Sequence, residues 1–284
     1  MDYKGSKALD ITLFLVMSSS WALNYSFLKI ALGYEPPMVA LFFRVLFASV
    51  FSIVFSFSSM RFVKKIGFLK LFLMSVFNVS LFMGLWFIGE MTEPSSVSSI
   101  LVYTYPIFTV VFSGFFLNES LSAGKIVGLI IGFAGVIVIF YDEFAFNFGI
   151  GLFFLLASAV SWAVGTIFYK KYLKDADMGA VNSYQFILAL PVVFVASLLY
   201  GGFRPLTMNF ILITLYMGSI GSSVAYFIYW GLIRKYKVSH VSPYLFSVPA
   251  LSILFSIFIN NEIAKPLTLA GFALVAAGIF ASSR

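Results

Sequence analysis

The sequence has no cysteine, which excludes disulfides, thiolate metal ligands and cysteine nucleophiles. Histidine occurs once, at His240, too few for an imidazole-built metal site. Charge is scarce as well: 18 basic and 11 acidic residues make up 10% of 284, against about 25% in a soluble domain. So few charges cannot cover a core of this size with a polar shell. Neither a Gly-x-x-x-x-Gly-Lys loop nor a Gly-x-Ser-x-Gly elbow is present, which argues against ATP-driven pumping and serine hydrolysis. What is abundant is apolar: 61% of residues are hydrophobic and 19% aromatic. Lipid is the expected solvent for most of this chain.

About 20 apolar residues cross a bilayer as a helix, and the interruptions by charge, proline and glycine leave ten such stretches. They run over 9–32, 37–58, 67–89, 95–117, 124–141, 149–169, 179–200, 208–233, 239–259 and 267–283. Ten spans leave only short connections and no extramembrane domain. The first span is preceded by a short polar segment without a small-residue cleavage site, and reads as a retained helix. Alternate connections collect fourteen of the 18 basic residues, among them Arg61, Lys64, Lys65, Lys170, Lys171, Arg234, Lys235 and Lys237. By the positive-inside rule that face, with both termini, is expected to be cytoplasmic, and the membrane to be the plasma or inner membrane.

The two halves resemble each other. Ser20, Trp21, Ala22 and Lys29 match Ser161, Trp162, Ala163 and Lys170 at an offset of 141. Further on the offset is 143, and Pro106, Asn118, Glu119, Gly128 and Gly135 recur as Pro249, Asn261, Glu262, Gly271 and Gly278. Apolar bias alone does not align Pro, Asn, Glu and Gly. Five spans per half, an odd number, require the second half to enter the membrane from the opposite side. The expected organisation is therefore a first repeat over 1–143 and an inverted one over 144–284, the architecture of many secondary transporters.

The doubled pattern of a span-four proline, a glutamate thirteen residues later and a glycine-bearing fifth span resembles the EamA family of the drug/metabolite transporter superfamily. The resemblance covers essentially the whole chain. It implies an all-α integral membrane protein, ten helices in two inverted repeats around a central cavity, alternating access, and transport of small metabolites, most often amino acids. Relatives of that kind also carry nucleotide sugars, phosphorylated sugars and drugs, so the motif does not fix the substrate.

Arg44 is the one charged residue well inside a span, and an arginine there is costly unless it pairs or faces water. Two readings are open: it holds a substrate carboxylate or phosphate through its planar fork, or it snorkels or pairs with Glu90. Its repeat counterpart is Gln185. Aromatic and polar residues at helical spacing add substrate-binding candidates: Trp21 and Asn24 on the first span, Asn78, Phe82 and Trp86 on the third, Tyr103 on the fourth, Trp162 on the sixth, Tyr226 and Tyr229 on the eighth and Phe246 on the ninth. An aromatic-lined pocket with a few polar groups suits a small solute, although with 55 rings many such stripes are packing. Ser99, Thr104, Ser242 and Ser247 precede the prolines and are weaker candidates. Pro106 and Pro249 are expected to kink their spans and to serve as hinges or as static bends.

Glu119 and Glu262 end their spans and read as solvated helix-end carboxylates rather than proton carriers. Gly124, Gly128 and Gly132 form a small-residue ridge, expected to join the fifth span to its own repeat or to make a dimer contact. Gly221, Ser222 and Ser223 with His240 are a remote enzymatic alternative. The expected partners are a small-molecule solute and the bilayer, with no nucleic acid and no cofactor or metal; a monomer is favoured, with a dimer as the alternative. A lipid or drug translocase, or a carrier of phosphorylated or nucleotide-linked sugars, are the competing transport readings.

Overall fold

The computed structural model describes residues 6–91, 101–139, 141, 149–260 and 266–282. Every regular element among them is helical. We number the principal helices α1 Lys7–Leu32, α2 Pro37–Phe55, α3 Phe68–Glu90, α4 Tyr105–Leu117, α5 Ala123–Ile139, α6 Ile150–Leu173, α7 Met178–Leu199, α8 Met208–Lys235, α9 Ser247–Asn260 and α10 Pro266–Ser282. Among the described residues six of these, α1, α2, α3, α6, α7 and α8, are long and apolar enough to cross a membrane, while α4, α5 and most of α10 are shorter apolar helices. Outward-facing Phe55, Phe115, Phe153 and Leu199 are exposed, a surface that suits lipid rather than water.

Local chemistry sets the helix ends. Ser6, Asp177 and Thr207 cap α1, α7 and α8 by accepting from the amides of Leu9, Ala180 and Phe210. Pro37 opens α2 at a position where its missing N–H costs nothing. Between α2 and α3 the basic connection is itself helical over Phe57–Phe62 and Val63–Ile66. It ends at Gly67, whose φ of 92° only glycine adopts freely.

Three helices contain a π-helical turn, where one extra residue widens the coil: Val76–Leu81 in α3, Tyr169–Leu173 in α6 and Ser219–Val224 in α8. The segments in α3 and α8 are 143 residues apart, the offset that aligns the later parts of the two halves.

The chain divides into two compact units that interleave the sequence halves. Unit 1 comprises Met1–Gly84 and Phe168–Lys235; unit 2 comprises Leu85–Ile167 and Tyr236–Arg284. The division falls inside α3 and α6.

In unit 1, α2 packs on α7 and α8, and α1 packs on α8. The α1 start is tied to the α8 end by an ion pair of 2.5 Å between Asp10 and Lys235. Lys170 Nζ donates to the carbonyls of Ile233 and Arg234 at 2.7 and 3.2 Å, capping the end of α8.

In unit 2, α5 and α10 lie backbone to backbone. A Cβ at Gly128 would strike the Gly278 carbonyl and the Ser282 amide, and one at Gly135 would strike the Gly271 carbonyl and the Val275 amide. The glycine ridge thus joins α5 to α10 in the other half of the sequence, not to its own repeat, and the surface of α10 it meets is Gly271, Val275 and Gly278. The Ala281 carbonyl also approaches this ridge, near Gly124. An apolar core of Val110, Leu129, Val136, Ile139, Phe246 and Val275 fills the space beside this pair.

The proline kinks take a different form from the expected one. Thr104 closes a turn onto the Leu101 carbonyl through both its N–H and its Oγ1, at 3.1 and 2.6 Å. Pro106 then lies in the first turn of α4, where no helical hydrogen bond is lost. Pro249 likewise stands near the start of α9, after a tight turn of helix over Ser242–Phe246. The chain is interrupted ahead of each proline instead of being bent at it.

Candidate functional site

Unit 1 holds a buried polar network built on α1, α2, α7 and α8. On α2, Arg44, Ala48 and Ser52 share a face at intervals of four. Opposite lies the π turn of α8, brought close by two glycines. A side chain at Gly218 would collide with the Arg44 carbonyl and the Ala48 amide, and one at Gly221 would collide with the Asn24 amide group. Gly218 and Gly221 are therefore what lets α2 and α1 reach this turn.

Arg44 is only 3% exposed as a residue, so its guanidinium is buried rather than snorkelling. Its Nε donates to Ser222 Oγ at 2.9 Å, and Ser222 Oγ donates to the Met217 carbonyl at 2.8 Å, five residues back along the π turn. Asn24 Nδ2 donates to the Gly221 carbonyl at 3.0 Å.

The next serine, Ser223, is hydrogen-bonded through its hydroxyl to that of Ser52 at 2.7 Å, and its carbonyl accepts from Asn182 Nδ2 at 3.0 Å. Asn182 Oδ1 accepts from Gln185 Nε2 at 2.9 Å, and Ser183 Oγ donates to the Ser52 carbonyl at 2.9 Å. Arg44 and its repeat counterpart Gln185 thus stand at the two ends of one network. The buried amide oxygens Asn24 Oδ1 and Gln185 Oε1 accept no hydrogen bond among the described residues, which leaves acceptor capacity inside the unit at a cost of about 1–3 kcal/mol each.

An aromatic group adjoins this network. Trp21 meets Tyr226 and Tyr229 with ring centroids 5.8 and 5.5 Å apart. Tyr226 meets Phe186 at 5.3 Å, Tyr229 meets Trp230 at 4.9 Å, and Trp230 meets Tyr169 at 4.6 Å. Tyr25 and Tyr226 lie within electrostatic reach of Arg44. Edge and tilted ring pairs of this kind hold their geometry and offer faces to an apolar or cationic group.

Of the residues singled out from sequence, Trp21, Asn24, Arg44, Tyr226 and Tyr229 come together here. Asn78 and Phe82 belong to the same unit on α3, and Asn78 Nδ2 donates to the Met74 carbonyl of its own helix at 3.2 Å. Unit 2 contains the others. Trp86 Nε1 donates to Glu90 Oε2 at 2.7 Å. Tyr103 pairs with Tyr105, which meets the buried Trp162 at 5.8 Å. Phe246 packs against Gly132 and Phe133 in the apolar core, which gives it a packing role.

Ser99 and Glu262 lie outside the described residues. Ser52, Asn182, Ser183, Phe186 and Trp230 carry no expectation from the sequence, and Ser223 enters there only beside Ser222 in the enzymatic alternative. The polar run Asn182, Ser183, Gln185 within an otherwise apolar helix was the signal available. Ser222 is engaged with Arg44 and Met217, and the ring of His240 with Tyr236 and Tyr244.

Many apolar helices and a buried arginine held in a polar network fit a multi-pass membrane protein with polar groups in its interior. The sequence profile of the EamA-like transporter family matches this chain twice, over residues 9–141 and 149–284. The chain belongs to that family. It is 29% identical over 281 residues to an uncharacterized transporter of Bacillus subtilis (strain 168), YvbV, covering 97% of this chain and 91% of that protein. It is 26% identical over 286 residues to a probable amino-acid metabolite efflux pump of Escherichia coli (strain K12), covering 95% and 93%. One crystal structure superposes with a TM-score of 0.85 at 15% identity, covering 98% of this chain and 97% of the other; that likeness concerns the fold.

Proposed function

We propose that this transporter moves amino acids or closely related small solutes across the cell membrane by alternating access, with its two halves, 1–143 and 144–284, acting as inverted five-helix repeats and both termini on the cytoplasmic side. The observation that carries the reading is the pairing of opposite chemistries within unit 1. A buried guanidinium at Arg44 suits a carboxylate, and unfilled amide oxygens at Asn24 and Gln185 suit an ammonium group. The rings of Trp21, Tyr226 and Tyr229 suit an apolar side chain or a cation. A zwitterion uses all three. The name of the Escherichia coli relative supports both the solute class and an outward direction.

Counterflow in proteoliposomes tests this without knowledge of a coupling ion. Vesicles are loaded with unlabelled solute, labelled solute is added outside, and amino acids, phosphorylated sugars and nucleotide sugars are compared. Accumulation of labelled amino acid, lost in Arg44→Gln, is the expected result. Accumulation of phosphorylated solutes alone, which would also use Arg44, overturns the substrate class, since nothing then employs the amide oxygens. If purified, folded protein exchanges none of these solutes, lipid or drug translocation replaces the proposal.

A further inference from the structure

Glu119 looks in sequence like a solvated helix-end carboxylate, and the structure gives it another task. α4 closes at Asn118, whose left-handed backbone (φ 52°) asparagine tolerates better than most residues. The Glu119 amide then donates back to the Ser113 carbonyl at 3.2 Å, a six-residue closure that ends the helix. This turn aims the carboxylate at the helical run that leads into α9. Glu119 Oε1 accepts from the Val238 N–H at 2.9 Å and Oε2 from the Ser239 N–H at 2.8 Å.

Lys237, the residue in position to cap that run, supplies no side-chain hydrogen bond to it, so its cap comes from the turn after α4, 119 residues away. Lys125 adds a bridge from α5, its Nζ donating to the Ser120 carbonyl at 3.1 Å and to Ser239 Oγ at 3.0 Å. One carboxylate and one ammonium thus tie α4, α5 and the approach to α9 at the end facing the basic connections.

The sequence repeats both sides of this contact: Asn118, Glu119 and Ser239 have Asn261, Glu262 and Ser96 as counterparts at 143 residues. The lysine is not repeated, since Thr268 stands where Lys125 would recur. A closure required once at each face of an inverted repeat would use both copies of this pattern.

We infer that Glu119 is a clamp: it holds α4 and the start of α9 together while the basic face is shut, and it lets go when that face opens. The inference rests on the transport reading, but its test needs no solute. Because this chain lacks cysteine, single reporters can be placed in it without further changes. Ser242→Cys puts one at a buried position one turn beyond the clamp, and Ser158→Cys puts the control at a buried position in the middle of α6. Each variant is exposed in inside-out vesicles to a membrane-impermeant maleimide.

Adding Glu119→Gln removes the charge and one of the two acceptors. The loss of one charge-assisted hydrogen bond is expected to speed labelling of the Ser242→Cys reporter about tenfold and to leave the Ser158→Cys control unchanged. Unchanged labelling of the Ser242→Cys reporter overturns the clamp, and so does an equal rise at both thiols, which marks general loosening. Should Glu119→Gln not fold, Glu119→Asp keeps the charge on a shorter arm. It is expected to raise labelling of the Ser242→Cys reporter alone, and a parental rate there overturns the clamp equally. Failure of counterflow with labelling as expected would discredit the solute assignment and leave the clamp standing.

Discussion

Each compact unit has its own internal means of cohesion, and the two means are opposite. Unit 1 is polar inside: α1, α2, α7 and α8 exchange hydrogen bonds through Asn24, Arg44, Ser52, Asn182 and Ser223. Unit 2 is closely packed where α5 meets α10, and what lets them meet is the absence of side chains at Gly128, Gly135, Gly271 and Gly278. In lipid no hydrophobic force drives helices together, so association relies on close packing and on interhelical hydrogen bonds. Each unit emphasises one of these. The difference matters for function, because a polar interior offers groups to a solute and a glycine seam offers only contact area. Accordingly, the seam should be intolerant of added volume, whereas the network should lose function before it loses the fold.

The largest effect is expected from filling the seam. Gly278→Leu places a side chain where the Gly132 backbone already lies, so the helices must part, at about 3 kcal/mol or more. Loss of monodisperse protein in detergent, or a large drop in unfolding temperature, checks this, and a variant as stable as the parent would refute the seam.

Next is Arg44→Gln. Loss of a charge-assisted pair with a substrate carboxylate is worth about 1.5–3 kcal/mol, so apparent affinity for an amino acid should weaken by roughly ten- to a hundredfold with a smaller change in stability. The two units differ as argued if these two variants show opposite balances of stability and transport.

A smaller effect is expected from Asn182→Ala, which removes bonds to the Ser223 carbonyl, Ser52 and Gln185. Interhelical hydrogen bonds in membranes average about 0.6 kcal/mol with maxima near 2, so about 1–2 kcal/mol of unfolding stability is expected for the cluster. Smallest is Lys235→Ala. Its partner Asp10 is buried but the lysine side chain is 29% exposed, and solvent screening limits the loss to under about 1 kcal/mol. High salt should erase the difference from the parent in thermal unfolding.

Much of the helical organisation was legible because it follows from local composition. The expected stretches 37–58, 179–200 and 267–283 meet α2, α7 and α10 within about three residues, since charge, proline and glycine mark both ends. α6 continues through Lys170 and Lys171 to Leu173, past its expected end, because Lys170 finds the α8 carbonyls as partners.

The candidate site was legible where a side chain is unusual for its surroundings. Arg44 announces itself, and the spacing of Trp21 and Asn24 gives a face. Serines do not. Ser49 satisfies its own Oγ on the Val45 carbonyl four residues back, at 2.8 Å, while Ser52, three residues on, reaches Ser223 on α8. Both are serines on the same apolar helix, and nothing local separates them. Asn78 and Asn182 differ in the same way: one bonds within its own helix, the other across to a neighbour.

The sequence by itself determined that this chain belongs in lipid, where most of its helices begin and end, and that its two halves share Pro, Glu and Gly at matching positions. These follow from hydrophobicity, helix-breaking residues and repetition, which are properties of short stretches. Only the tertiary structure decided that Gly128 faces α10, that Glu119 caps a helix in the other half of the chain, and that Gly221 makes room for Asn24. Each of these is a contact between residues far apart along the chain, and a side chain's partner in such a contact is fixed by how helices cross, which no local pattern encodes.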